Sequence, residues 1–122
     1  MTIIFPTMKE DGLGAKRGAH FGKATFYTAV DVIDGIVQEV SVHKNPGHVT
    51  GGCANAVSNI QALGANTLVV SGIGADPLKK FLHVGIDVYF DDKNDTVEDA
   101  LRDFIAGKTA KINPDHSCEH HH

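Results

Sequence analysis

The chain has no apolar run that approaches the ~18 residues a helix needs to cross a membrane. Residues 1–6 lack the charged start and the cleavage site of a signal peptide, so we expect a cytoplasmic protein without a membrane partner. Cysteine is also scarce, and the two present, Cys53 and Cys118, lie far apart in the sequence. In a cytosolic protein such a pair is more typical of free thiols or metal ligands than of a disulfide.

Basic residues are outnumbered by acidic ones, and the formal net charge is −4 at pH 7. We therefore expect no nucleic-acid partner, because binding to phosphates depends on an excess of lysine and arginine. The charge is uneven, since residues 12–30 contain no acid whereas residues 91–103 contain six. The basic residues of the first segment are Lys16, Arg17, His20 and Lys23. Such a locally positive loop can attract a small anion even on an acidic protein.

The pattern of apolar residues predicts three strands at the start of the chain, followed by alternating helices and strands. Asp34-Gly35 predicts a tight hairpin between the second and third strands. The predicted strands are 2–6, 25–32, 36–42, 68–70 and 86–90. The order β-β-β-α-β-α-β-α indicates an α/β fold in which helices flank a mixed five-stranded sheet with its first strand near the centre. This is a ribonuclease H-like arrangement.

Each predicted helix has a start signal and a stop signal. The first begins at Cys53 and is closed by Gly64, and the second has Asp76 as its N-cap and Pro77 at its first position. Thr96 is the predicted cap of the third. The apolar face of this third helix is Val97, Ala100, Leu101, Phe104 and Ile105. These elements predict one domain over residues 1–108, with a flexible tail over residues 109–122.

Histidines in loops are the first candidates for contact with a metal-containing ligand. His20 precedes a predicted strand, and its imidazole can ligate iron, molybdenum or copper. The neighbouring Phe21 would give it an apolar backing, and Gly22 follows. A loop histidine without a role is the alternative interpretation. His48, shortly before the first helix, could reach the same cleft, and Cys118 in the tail is a further candidate metal ligand.

Glycine pairs precede two of the predicted helices. Gly51 and Gly52 open the first, where unpaired backbone amides and the helix dipole favour an anion. Cys53 at this position is either a thiolate ligand with a lowered pKa or a buried residue of the apolar face. Gly72 and Gly74 supply a second set of amides. Two helix starts that face one cleft would form a site for an anion.

Seven motifs in the same order resemble the dinitrogenase iron–molybdenum cofactor biosynthesis family. This group includes NifX- and NafY-type cofactor carriers, the C-terminal domain of NifB proteins and the molybdenum–copper orange protein. The motifs are His20-Phe21-Gly22-Lys23-Ala24, Asp34-Gly35, Asn45-Pro46-Gly47-His48, Gly51-Gly52-Cys53, Gly72-Ile73-Gly74 with Pro77, Gly85-Ile86-Asp87-Val88-Tyr89, and Thr96-Val97-Glu98-Asp99-Ala100 leading to Gly107-Lys108.

The resemblance implies a ribonuclease H-like domain that binds a metal–sulfur cluster non-covalently and passes it on without catalytic turnover. His20 matches the motif histidine that is associated with cofactor binding in this family. The resemblance also implies that other cofactor-assembly proteins are partners, and we expect a monomer. The terminal histidines after Cys118 are either native, as in small stand-alone members, or the remnant of an expression tag.

We therefore expect a carrier or scaffold for an anionic molybdenum-containing metal–sulfur cluster (Mo–Fe–S or Mo–Cu–S). Two alternatives stay open at this point. One is a metal-dependent hydrolase that uses His20, His48 and an acid. The other is a protein-interaction or regulatory module without a cofactor. A ribonuclease H-type nuclease is disfavoured, because the first strand lacks the acids that would hold two Mg²⁺ ions.

Overall fold

The structure is a computed structural model and is described for residues 1–9, 11–16, 25–44, 57 and 60–112. Its strands are β1 (Thr2–Thr7), β2 (Phe26–Ile33), β3 (Ile36–Lys44), β4 (Thr67–Val70), β5 (Asp87–Phe90) and β6 (Ala110–Lys111). Its helices are a 3₁₀ turn (Gly12–Gly14), α1 (Ala75–His83) and α2 (Val97–Ile105). Val57 and residues 60–62 are also helical, within the first helix predicted from the sequence.

The strands form one open sheet in the order β3-β2-β1-β4-β5-β6. Strand β1 lies in the middle, antiparallel to β2 and parallel to β4, and β4 is parallel to β5. The carboxyl ends of β1, β4 and β5 therefore meet at one end of the sheet, which we call the carboxyl end. The mixed α/β class and the central first strand are confirmed, whereas the ribonuclease H-like assignment stays a prediction.

The prediction of five strands was wrong, because β6 adds a sixth beside β5. This strand lies within residues 109–122, which were predicted to form a flexible tail. Both of its residues are exposed, so no apolar alternation reveals it in the sequence. It is held by main-chain hydrogen bonds, by one ion pair and by Ile112, which directly follows it and packs against the first apolar layer. The Ile112 amide donates to the Val88 carbonyl at 2.8 Å, and Lys111 Nζ lies 3.2 Å from Asp87 Oδ1.

Strand β1 runs one residue past Pro6, where the sequence predicted its end. Proline lacks an amide hydrogen and normally removes a hydrogen bond from a central strand. The parallel pairing of β1 with β4 is registered at Ile3 and Ile4 alone. Pro6 lies beyond that pairing, so the strand continues beside β2 as far as Thr7.

The predicted hairpin turn is confirmed in detail. Asp34 and Gly35 have φ angles of 52° and 79°, so both lie in the left-handed region. Two such residues in sequence are the signature of a type I′ turn, whose twist matches that of the flanking strands. Ile33 and Ile36, on either side of the turn, are register partners.

Two apolar layers cover the sheet, one on each face. The first packs the helical residues Val57 and Ile60, together with α1, against the sheet. The second packs α2 against the other face, through Val97, Ala100 and Leu101. The tyrosine of the first layer, Tyr27, is 1% exposed. Neither described helix is both long and apolar enough to cross a membrane.

The start of α1 differs from its prediction. The helix begins at Ala75 with Gly74 as its N-cap, so Asp76 lies in the first turn and does not cap it. Pro77 accordingly occupies the third helical position. That position is tolerated, because the amides of the whole first turn have no partner within the helix and proline loses nothing there.

The start of α2 is confirmed and the extent of its buried face is corrected. Thr96 Oγ1 accepts a hydrogen bond from the Asp99 amide at 3.3 Å, as expected of an N-cap. Ile105 was predicted to be buried but is 42% exposed. It lies next to the hairpin turn, where a Cβ on Gly35 would be 3.6 Å from Ile105 Cγ2. Glycine has no side chain with which to cover it.

We predict that alkaline pH destabilises the protein through Tyr27. Burial raises the pKa of Tyr27 from its ordinary value of 10.0 to about 12. The folded state therefore favours the neutral phenol, and this contribution is complete below pH 10 and is lost as the pH rises to about 12. The total loss of unfolding free energy from this group is about 2–3 kcal/mol.

The measurement is urea unfolding at pH values across this range for the wild type and for Tyr27→Phe. The wild-type unfolding free energy should fall more steeply than that of the variant, since other groups titrate equally in both. The sequence contains two tyrosines, so Tyr89→Phe leaves Tyr27 as the single source of tyrosinate absorbance. Parallel stability curves for the wild type and Tyr27→Phe would contradict the assignment.

Candidate functional site at the carboxyl end of the sheet

Main-chain hydrogen bonds bring the flanks of the candidate loops to the carboxyl end. The Met8 amide donates to the Lys16 carbonyl at 3.0 Å, and the Thr25 amide donates to the Thr7 carbonyl at 3.1 Å. The residues on either side of 17–24 are therefore both tied to the end of β1. Lys44, which precedes residues 45–56, pairs with Phe26 at the same end.

Lys16 is the predicted basic site residue that the structure describes. Its backbone forms an antiparallel bridge with Thr96, and the Val97 amide donates to the Ala15 carbonyl at 3.1 Å. These contacts fix the chain against the start of α2. Lys16 itself is exposed, so its ammonium group is free to meet an incoming anion.

The β4–α1 turn contains the two predicted glycines. Gly72 is buried, and Gly74 is half-buried at the N-cap of α1. No described side chain caps this helix start. The amides of Ala75 and Asp76 are therefore available to an acceptor, whereas Pro77 has no amide hydrogen. The Asp76 carboxylate in the same turn opposes an anion, so this helix start is a weaker anion site than the sequence predicted.

The remaining predicted site residues lie outside the described residues, and their arrangement stays a prediction. They are Arg17, His20, Phe21, Gly22, Lys23, His48, Gly51, Gly52, Cys53 and Cys118. Within the described part of the chain, no group of three or more His, Cys, Asp or Glu side chains is placed to hold a metal ion.

A carboxylate–amide network at the start of the β5–α2 loop was not predicted. The side-chain Nδ2 of Asn94 donates to Asp91 Oδ2 and to Asp103 Oδ2, both at 3.0 Å. The Lys93 amide donates to Asp91 Oδ1 at 3.1 Å, and Asp91 is 6% exposed. In the sequence these residues belong to a run of acids that looks like a solvated surface. The signal was the Asp-x-x-Asn spacing directly after a buried strand, which is typical of a side-chain-stabilised turn.

This network gives the described part of the carboxyl end an acidic side. Asp91, Asp92 and Asp95 follow β5, and Lys16 lies across from Thr96. The described part of the β1–β2 connection therefore adjoins this acidic side, since Lys16 pairs with Thr96 and the Val97 amide donates to the Ala15 carbonyl.

The sequence from residue 1 to residue 107 matches the model of the family described as dinitrogenase iron-molybdenum cofactor. The chain belongs to this family. The match covers every described strand and helix except β6. Family membership thus agrees with the resemblance that the seven sequence motifs indicated.

One similar sequence and two solved structures can be compared with this family member, and the two structures share its fold. An uncharacterized protein, MJ0580 of Methanocaldococcus jannaschii, is 26% identical over 95 residues, which is 76% of this chain and 80% of that protein. The apo form of the orange protein from Desulfovibrio gigas superposes with a TM-score of 0.81 at 21% identity, covering 91% of this chain and 92% of the other. PH0822 superposes with a TM-score of 0.76 at 25% identity, covering 92% and 96%. Since the orange protein is less than 25% identical, it supports the fold alone.

We predict that Asn94→Asp destabilises the β5–α2 loop. The substitution replaces an amide that donates to two carboxylates with a third carboxylate, so two hydrogen bonds are lost and like charges meet. The expected loss of unfolding free energy at neutral pH is about 1–3 kcal/mol.

Chemical unfolding at pH 7 measures this effect. Asp92→Asn is the matched control, since Asp92 is exposed and its change removes a charge from the same loop. It should alter the unfolding free energy by no more than about 0.5 kcal/mol. Equal stability of Asn94→Asp and the wild type at pH 7 would show that the network does not hold the loop.

Proposed function

We propose that this protein is a non-catalytic carrier or scaffold for an anionic molybdenum-containing metal–sulfur cluster or its precursor. Membership of the dinitrogenase iron-molybdenum cofactor family supports this role. The main support for the proposal is the topology of the sheet. Both flanks of residues 17–24, Lys44 before residues 45–56, and the uncapped start of α1 all lie at the carboxyl end of the sheet. Ligands of open sheets with parallel strands commonly bind beyond those carboxyl ends.

The described residues are of the kind that can contact the outer surface of such a cluster. A thiomolybdate-like unit carries negative charge and presents sulfides that accept hydrogen bonds. The amides of Ala75 and Asp76 and the ammonium group of Lys16 are donors of the required kind. They provide attraction without a covalent bond, which suits a cargo that must later be released.

Direct contact with the metal is assigned to residues outside the described part of the chain. We propose His20, with His48 or Cys53, as ligands, and Cys118 as a further candidate. Gly22, Gly51 and Gly52 would allow the backbone to approach the cluster closely, and Phe21 would shield it from water. In this scheme the metal partner of molybdenum is iron or copper, and other cofactor-assembly proteins deliver or receive the cluster.

The test is anaerobic reconstitution with tetrathiomolybdate and either copper(I) or iron(II) with sulfide, followed by desalting. The wild-type protein should retain molybdenum and show visible charge-transfer absorption. His20→Ala should bind at least about tenfold more weakly, because loss of a metal ligand costs no less than loss of its outer-shell partner. Metal analysis and absorption spectra of the desalted protein measure both effects.

Two controls make the result specific to the proposed site. His83→Ala removes an exposed histidine from α1 and should leave the bound molybdenum unchanged. A chain that ends at Glu119 reports whether the three terminal histidines contribute. Retention of no molybdenum by the wild type under any of these conditions would overturn the proposal, as would equal loss in the His20→Ala and His83→Ala variants.

A further inference from the structure

Exposed apolar side chains gather around the β2–β3 turn. Of the six large apolar side chains that are exposed in the described part of the chain, four lie on this turn or against it, and a fifth, Met1, pairs through its main chain with Val32 nearby. The four are Ile33 (54% exposed), Ile36 (64%), Val37 (36%) and Ile105 (42%). We call these four residues the hairpin tip. Isolated exposed apolar residues need no explanation, but a cluster of exposed apolar residues is a candidate surface for contact with a partner.

The hairpin tip is apolar on both faces of the sheet. Ile33 and Ile36 are register partners and share one face. Val37 pairs with Val32, which belongs to the apolar layer under α2, so Val37 lies on the opposite face. Ile105 extends that second face, because it lies beside Gly35 of the turn. Strands with apolar residues on both faces are typically buried on both faces.

The charges around the hairpin tip indicate which kind of partner surface is complementary to it. Between residues 25 and 43 the sequence contains three acids, Asp31, Asp34 and Glu39, and no lysine or arginine. Asp31 and Glu39 are register partners, and the amino-terminal ammonium group, 3.8 Å from Asp31 Oδ1, offsets part of the repulsion between them. The three carboxylates outnumber this one cation, so the surround of the tip is acidic. Two copies of this chain that met through their tips would bring these acids together. A partner with basic residues around an apolar cleft would instead neutralise them.

The hairpin tip also lies away from the candidate cargo site. Strand β2 begins at the carboxyl end and runs for eight residues to the turn, a length of about 25 Å at ~3.3 Å per residue. A protein bound at the tip would therefore leave the carboxyl end free.

We propose that the hairpin tip is a protein-docking surface that inserts into an apolar cleft rimmed by lysine or arginine on a partner protein. This inference goes beyond cluster binding and does not depend on it. The recognition elements are the isoleucine pair Ile33 and Ile36, with Ile105 beside the turn and Asp31, Asp34 and Glu39 as the acidic surround.

The test uses two synthetic amphipathic peptides with the same leucine face, one flanked by arginine and one by glutamate. Binding is followed by methyl NMR of the full chain at low and moderate salt. The arginine peptide should shift the methyl signals of Ile33, Ile36 and Ile105 first, and should bind about tenfold more tightly than the glutamate peptide. Sedimentation of the protein without peptide checks its self-association.

Matched variants separate docking from folding. Ile33→Thr combined with Ile36→Thr keeps the β-branched shape and should weaken peptide binding about fivefold or more. Asp34→Asn keeps a residue that tolerates positive φ and should reduce the preference for arginine. Met8→Thr changes an exposed apolar residue that follows the carboxyl end of β1 and should have no effect. If the double variant unfolds, Ile36→Thr alone serves, because Ile36 is the most exposed of the four.

Several results would overturn the proposal. Methyl shifts centred outside the tip, equal binding of both peptides, or no shift with the arginine peptide would each do so. Dimerisation that Ile33→Thr with Ile36→Thr abolishes would show that a second copy covers the tip, and would equally reject a basic partner. None of these outcomes bears on the reconstitution of a molybdenum cluster, so the two proposals fail separately.

Discussion

The pairing of β1 in the middle of the sheet is the constraint on which the rest of the molecule depends. Five of its six residues are buried, and it is antiparallel to β2 on one side and parallel to β4 on the other. A parallel neighbour requires a crossover connection that returns the chain to the same end of the sheet. That crossover, together with the later connection through α1, covers one face of the sheet. It also aligns the carboxyl ends of β1, β4 and β5.

The two ends of the sheet differ in character because of this arrangement. At the carboxyl end, loops join strands to helix starts. The uncapped start of α1, the flanks of residues 17–24 and Lys16 all lie at this end, with Lys16 beside the start of α2. At the other end, the tight Asp34-Gly35 turn joins β2 directly to β3. The side chains at that end therefore belong to these strands and to the last turn of α2. Loops that begin helices offer polar main-chain groups to a ligand, whereas a hairpin with exposed isoleucines offers apolar surface to a protein.

Much of the fold could be predicted from the sequence, because its signals are local. The Asp34-Gly35 turn, the cap at Thr96 and the buried β4 each depend on a few neighbouring residues, and all three are confirmed. The failures involve long-range contacts. Strand β6 has no pattern of its own and forms because β5 has an open side, and Ile105 is exposed because glycine lies across from it. The Asn94 network joins two elements, so its acids resembled a solvated surface in the sequence.

The sequence by itself determined the class of fold, the central first strand, the turn chemistry and the family resemblance, because apolar period, glycine position and motif order are properties of the chain alone. Only the tertiary structure decided at which end of the sheet the flanks of the candidate loops lie, which described helix start lacks a side-chain cap and which apolar residues stay uncovered. Those features depend on strand direction and on the neighbour that each side chain meets. Neither strand direction nor the neighbour of a side chain can be predicted from a single segment, since the same local pattern fits more than one partner.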